Sequence, residues 1–306
     1  METTWRWSLV TAIAPIAWGT TYFVTRAFLP PDIPLWGAVI RALPAGLLLL
    51  ALRRTRPRGA WWWRSVVLGT LNMGAFFALV YVAAQLLPTS IAATVMALSP
   101  LVMMLLARLF IAERLRMLPL IGGVVGVAGV GLMLFSTGAS VNLLGVAASV
   151  AAMTMSSLGF ILAKRWSGDV DVLALTSWQL IAGGGVLLVL ALAVEGPPPA
   201  LDGSELLAFA YIGIVATAAS YAAWFTGLRH LDAGTVGLIG LLNPVTGVLV
   251  GTVIAHEVLG MRQFAGIGLV LVGVLLGQPI VRRLARRRPS VSANAPHACS
   301  VGSADA

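Results

Sequence analysis

The sequence predicts an all-α membrane protein of ten transmembrane helices, arranged as two inverted five-helix repeats. Three observations predict it. Of 306 residues, 59% are hydrophobic and only 10% charged, with a mean hydropathy of +0.94. Soluble domains carry about 25% charged residues, so this chain cannot cover a water-exposed surface. Ten apolar runs each approach the roughly 20 residues that cross a hydrocarbon core of about 30 Å. Finally, a phrase recurs: "LSPLVMMLLARLFIAERL" (98–115) and "LNPVTGVLVGTVIAHEVL" (242–259) hold Pro100 and Glu113, and Pro244 and Glu257, at one separation, 144 residues apart.

The runs follow in order. Residues 8–27 form the first and contain Trp18 and Tyr22; residues 35–52 form the second and contain Arg41. The third, 64–86, follows the basic stretch "RRTRPRGAWWWR" and carries Asn72, Tyr81 and Gln85. The fourth, 90–110, contains Pro100, and the fifth, 117–136, holds the glycine run "GGVVGVAGVG", which permits close helix packing. A phosphate-loop reading of these glycines lacks a preceding soluble strand and a lysine. The sixth and seventh runs, 143–164 and 172–194, include Trp178 and the "GGG" of 183–185. The eighth, 205–228, contains Tyr221 and Trp224; the ninth, 233–255, contains Asn243 and Pro244; the tenth spans 261–281. The tail, 282–306, is basic and then rich in Ser, Ala and Pro, and reads as disordered.

At the offset of 144, Leu87 also meets Leu231, Gly122 meets Gly266 and Gly129 meets Gly273; the first two spans of each half match more weakly at an offset of 137. The repeats are residues 1–141 and 142–281. Five is odd, so the second copy enters the membrane upside down. Inverted repeats belong to alternating-access transporters, whose substrate site lies near the midplane between the repeats.

A net charge of +9 raises the possibility of a nucleic-acid partner. The arginines instead flank the apolar runs, at 53–64 and 282–288, as the positive-inside rule requires of cytoplasmic segments. With the N-terminus inside, the opposite segments hold only Arg26 and Arg262, and "EGPPPALDGSE" (195–205) carries three acids and no base. Both termini are expected in the cytoplasm, with the lipid bilayer and a small-molecule substrate as partners and no nucleic acid. Oligomeric state is not readable. The single cysteine, Cys299, lies in the tail, so no disulfide framework exists. The first run has no cleavage site and reads as a span rather than a signal peptide. Seven tryptophans fall at span ends as an aromatic belt; Trp18, Trp178 and Trp224 lie inside spans.

"AWGTTYFVTR" (17–26), the arginine of "LWGAVIRALPAGLLLL" (35–50) and the two Pro-to-Glu-Leu phrases resemble the EamA branch of the drug/metabolite transporter superfamily. The resemblance covers about residues 8–281 as two tandem units. It implies a ten-helix carrier of the prokaryotic cytoplasmic membrane that moves amino acids or related metabolites, often outward. "HEVL" departs from the Glu-Arg-Leu or Glu-Pro-Leu common in that family.

Ionisable groups inside spans are functional candidates by default, and here they are few. Arg41 is the one clear charge away from a span end, and no Asp or Glu occupies a span interior. Metal-dependent catalysis needs clustered His, Asp or Glu, and aspartyl catalysis needs paired acids; no enzyme, metal or cofactor is therefore expected. A membrane-embedded enzyme or sensor is the rival from another class. A cation-drug exporter lacks its carboxylate. The residues favour a neutral or zwitterionic substrate, with amino acids, including aromatic ones, as the first expectation.

Arg41 either binds a substrate carboxylate or reaches the outer surface about 9 Å away. Glu113 and Glu257 are expected at the starts of the fifth and tenth spans, where a carboxylate favours the positive helix end, with a gating role as the alternative. Pro100 and Pro244 are expected to break their helices at repeat-related places, either to form a site or as packing kinks. Trp18, Tyr22, Asn72, Tyr81, Trp178, Tyr221, Trp224 and Asn243 are the further candidates for an apolar cavity with a few placed polar groups; each also fits a satisfied core position.

Overall fold

A computed structural model of the chain describes residues 2–30, 32–87, 89–134, 142–254 and 260–278, with side chains for all of these except 2–4, 22, 26, 84, 89–91, 93 and 134. Glu257, His256, the tail 282–306 and the Tyr22 side chain therefore lie outside the described residues. Every described element is helical, and each apolar run falls on a helix or on a helix with one break.

The first half comprises α1 (Glu2–Phe28), α2 (Pro34–Arg53), α3 (Trp61–Gly69), α4 (Ala75–Leu86), α5 (Thr89–Met96), α6 (Ser99–Ile111) and α7 (Met117–Leu134). The second comprises α8 (Leu143–Ser167), α9 (Val172–Val194), α10 (Gly203–Gly213), α11 (Ser220–His230), α12 (Ala233–Gly240), α13 (Leu242–Ile254) and α14 (Met261–Gly277). A π-helical turn at Thr70–Gly74 joins α3 to α4, and another at Ile214–Ala219 joins α10 to α11. Counted with their breaks, eight helical stretches among the described residues are long and apolar enough to cross a membrane; α7 and α14 yield shorter apolar helices there.

The breaks recur at one separation. The two π-turns begin 144 residues apart, as do α5 and α12, and α7 and α14. Leu87 and Leu231, also 144 apart, end α4 and α11 in extended conformation. Pro100 stands in the first turn of α6, where a missing N–H costs nothing because the first helical N–H groups lack partners anyway. Pro244 holds the corresponding place in α13. Thus both prolines start new helices after a break. Pro15 and Pro44 lie inside the unbroken α1 and α2.

Helices of one half pack on helices of the other. α1 lies on α11 and α13, while its counterpart α8 lies on α4 and α6; α2 packs along α9, and α7 along α14. The α7–α14 crossing is made by glycines. A Cβ on Gly122 would lie 2.5 Å from the Gly273 carbonyl oxygen, and one on Gly129 would lie 2.7 Å from the Gly266 carbonyl oxygen. Rising numbers on α7 meet falling numbers on α14, so the two run antiparallel. Small residues let backbones approach where lipid offers no hydrophobic drive to associate.

At one end of the bundle the halves are tied by charge. Lys164 of α8 sits 2.6 Å from the Glu113 carboxylate and donates to the Leu231 carbonyl at 2.6 Å. Glu113 also accepts the Ala233 N–H at the start of α12, and Arg116 pairs with Asp232 at 3.2 Å. This corrects the expectation for Glu113. Ala112 takes a left-handed conformation that ends α6, α7 does not begin until Met117, and Glu113 in between is delivered to the other half's helix start. It caps α12 rather than its own span. At the same end Arg53 pairs with Asp171, the N-cap of α9. At the opposite end Glu195 accepts the Leu35 and Trp36 N–H groups at 2.7 and 2.8 Å, capping α2.

Candidate functional site

The second π-turn organises the interior. In an α-helix the Ser220 N–H would bond Ala216, four residues back. Here it turns to Val215 and Thr217, and the Ala216 carbonyl is left for side chains. Two take it: the Trp18 indole N–H at 3.0 Å and the Arg41 Nη2 at 3.4 Å. Arg41 Nε also donates to Thr217 Oγ1 at 3.0 Å, and its guanidinium lies 5.1 Å over the Phe77 ring. Of the two open readings, the half-buried Arg41 thus turns inward and does not reach for the outer surface. One widened turn thereby draws α1 and α2 together on α10 and α11, with Phe77 of α4 against the guanidinium.

An aromatic wall continues from Trp18. Its ring centroid lies 5.2 Å from Tyr221 and 5.3 Å from Trp224, and Trp224 lies 5.4 Å from Phe160 of α8. Next to Trp18, Gly19 packs so closely on α13 that a Cβ there would lie 2.7 Å from the Asn243 carbonyl oxygen. Asn243 therefore stands where α1 crosses the start of α13. Thr20 and Tyr211 share a hydrogen bond of 2.7 Å nearby on α1 and α10.

Two polar atoms of this region are buried without a hydrogen-bond partner: Trp224 Nε1, in a residue 3% exposed, and Asn243 Oδ1. Leaving a buried donor or acceptor unmet costs about 1–3 kcal/mol each, and such atoms in a native fold call for a physical reason.

Of the residues predicted from sequence, Trp18, Arg41, Tyr221, Trp224 and Asn243 are drawn together. Asn72 is not among them. It lies in the first π-turn, fully buried, donating to Gln179 of α9 at 2.7 Å. Trp178 sits near the start of α9, donates to the Thr55 carbonyl at 2.8 Å and meets Trp61, so it fastens a loop. Half-buried Tyr81 on α4 makes no ring contact or hydrogen bond with the cluster among the described residues. Thr217, Phe77 and Phe160 were missed, because nothing in a continuous apolar run marks where a π-turn will free a carbonyl. Among the described residues no group of three or more His, Cys, Asp or Glu is placed to hold a metal.

Apolar helices long enough to span a bilayer define a multi-pass membrane protein with a polar-aromatic cluster in its interior. The chain belongs to the EamA-like transporter family: the family's pattern matches residues 5–135 and again residues 143–277. It is similar to Protein PecM of Dickeya dadantii (strain 3937), 36% identical over 270 residues, covering 87% of this chain and 90% of that one. The uncharacterized inner membrane transporter YedA of Escherichia coli (strain K12) is 30% identical over 268 residues, covering 85% and 87%. A solved crystal structure superposes with a TM-score of 0.76 at 21% identity, covering 90% of this chain and 99% of that chain; at that identity it bears on the fold alone.

Proposed function

We propose that the chain is an alternating-access carrier of small organic metabolites in the prokaryotic cytoplasmic membrane, with both termini inside. In this reading its halves are inverted copies and its substrates are amino acids, aromatic ones included, moved outward or down their gradient. The antiparallel crossing of α7 and α14, counterparts 144 residues apart, supports the inversion. So does the exchange of packing partners between α1 and α8.

The observation that carries the substrate reading is the convergence of Arg41, Trp18, Tyr221 and Trp224 on one freed carbonyl and its aromatic wall. Arg41 supplies a guanidinium fork matched to a carboxylate. The rings supply the apolar wall for a side chain. Trp224 Nε1 and Asn243 Oδ1 offer one donor and one acceptor that a bound substrate satisfies. Metabolite binding that supplies those partners offsets the cost of burying them unmet.

No Asp or Glu lies within the interior of a span, so flux down a substrate gradient is expected to persist when the proton gradient is collapsed. The test is uptake of a labelled amino-acid and metabolite panel into liposomes bearing the purified protein, with and without an uncoupler. Saturable uptake of a zwitterion or carboxylate that survives the uncoupler supports the reading. Preferential transport of organic cations would replace it.

A further inference from the structure

We propose that the loop between α2 and α3 is a binding site for the headgroups of anionic phospholipids in the inner leaflet, built from Arg54, Arg56, Arg58 and Arg64 with Trp63 and Trp166. This rests on the orientation proposed above, which puts residues 53–64 in the cytoplasm. A positive-inside signal needs only charge on one side of the membrane. This loop has more than charge: it has a fixed shape.

Three contacts hold it. Arg54 ends α2 in a left-handed conformation, its N–H bonded to Leu50 at 2.6 Å. Arg53 is bound to Asp171, with Nε 2.9 Å from Oδ1. The Trp178 indole N–H holds the Thr55 carbonyl at 2.8 Å. With Asp171 occupied by Arg53, the side chains of Arg54, Arg56 and Arg58 project from this pinned backbone, exposed and with no ion pair or hydrogen bond among the described residues. Asp169, exposed on the turn before Asp171, is the acid nearest in sequence to that pairing.

Arg64 completes the arrangement differently. Its guanidinium lies 5.5 to 5.6 Å from the rings of Trp61, Trp63 and Trp166, and its Nε is buried without a partner. Stacking engages the faces of a guanidinium and leaves its N–H edge for an in-plane acceptor, which a phosphate oxygen matches. Trp62 and Trp63 are 63% and 52% exposed at the start of α3. Indoles favour the headgroup level of a bilayer, so the cationic array and the ring surface lie at one depth. Clustered arginines immediately cytoplasmic of a span attract anionic lipids over a Debye length. The indoles tie the site to a lipid headgroup in preference to a free phosphate.

The experiment uses the purified full chain in detergent, where both faces are accessible and neither transport nor orientation enters the result. Retention of added phosphatidylglycerol, phosphatidylcholine or free glycerol phosphate is read by native mass spectrometry and by the shift in thermal midpoint. Phosphatidylglycerol should be retained and raise the midpoint, less so as salt is raised; the other two should do neither. Replacing Arg54, Arg56 and Arg58 together with Gln should weaken retention by more than about tenfold, since each arginine near an anionic surface counts for roughly a fivefold change. If that variant inserts poorly, Arg64→Gln, which leaves the loop's charge in place, should lower retention alone. Equal retention of phosphatidylcholine, competition by glycerol phosphate at the same concentration, or unchanged retention in the soluble variants would overturn the proposal.

Discussion

The Glu113 carboxylate lies 2.6 Å from the Lys164 ammonium, joining the loop after α6 to the end of α8 across the boundary between the two halves. Both side chains are about four-fifths buried, and each also holds backbone at the junction of α11 and α12: Glu113 the Ala233 N–H, Lys164 the Leu231 carbonyl. A charge-assisted hydrogen bond contributes about 1.5–3 kcal/mol. Glu113→Gln should lower stability in detergent by about that amount. A double-mutant cycle with Lys164→Met should show coupling above ~0.5 kcal/mol; strict additivity would mean the pair contributes nothing jointly.

Arg41→Gln should cut transport by about tenfold or more while leaving the inserted amount near wild type, because it removes one charged fork from the interior. Arg41→Lys restores charge without the fork and should recover only part of the loss. Thr217→Val removes the acceptor that orients Arg41 Nε and should raise the half-saturation concentration more than it lowers the maximal rate. Kinetics of all three in liposomes check this.

The α7–α14 crossing leaves no room for side chains. Gly122→Ala and Gly273→Ala should each cost about 1–3 kcal/mol, the usual penalty for overpacking, since their new Cβ atoms would lie 2.5 Å from a facing carbonyl oxygen. Gly131→Ala and Gly268→Ala, where nothing lies within 4 Å, serve as controls and should be neutral or slightly stabilising. Thermal midpoints in one detergent decide.

The Arg53 guanidinium, by hydrogen-bonding Asp171, holds that carboxyl below its ordinary value of 3.8, with the Ala174 and Leu173 N–H groups adding to the effect. A carboxylate with a lowered folded pKa stabilises fully above its unfolded value, and that contribution disappears as pH falls below it. The pair is partly exposed, so the effect is small. Asp171→Asn should therefore be mildly destabilising at pH 7 and indistinguishable from wild type well below pH 3.8, as followed by thermal midpoints across pH.

Much of this was legible in the sequence, for identifiable reasons. Pro100 and Pro244 marked helix starts because proline fits the first turn wherever it falls. Trp18 and Trp224 stood out because aromatic groups away from span ends need a packing partner inside. Asn72 and Trp178 stood out for the same reason and meet Gln179 and the Thr55 carbonyl: an in-span polar group signals a partner and does not say which. The π-turns were invisible, since one extra residue in a turn leaves an apolar run apolar. Glu113 was placed at a helix start, but on the wrong helix, because its acceptor role is decided by residues 120 positions away.

If the Arg41 site is exposed alternately to the two sides of the membrane, counterflow reveals it most directly. Liposomes bearing the wild-type protein are loaded with an unlabelled substrate and diluted into a trace of the same labelled substrate. Alternating access predicts transient accumulation of label above equilibrium, abolished in Arg41→Gln, because excess unlabelled substrate inside competes with the label for the exit step. Uptake that merely equilibrates, at the same rate with and without internal substrate, would contradict alternating access and point to a pore.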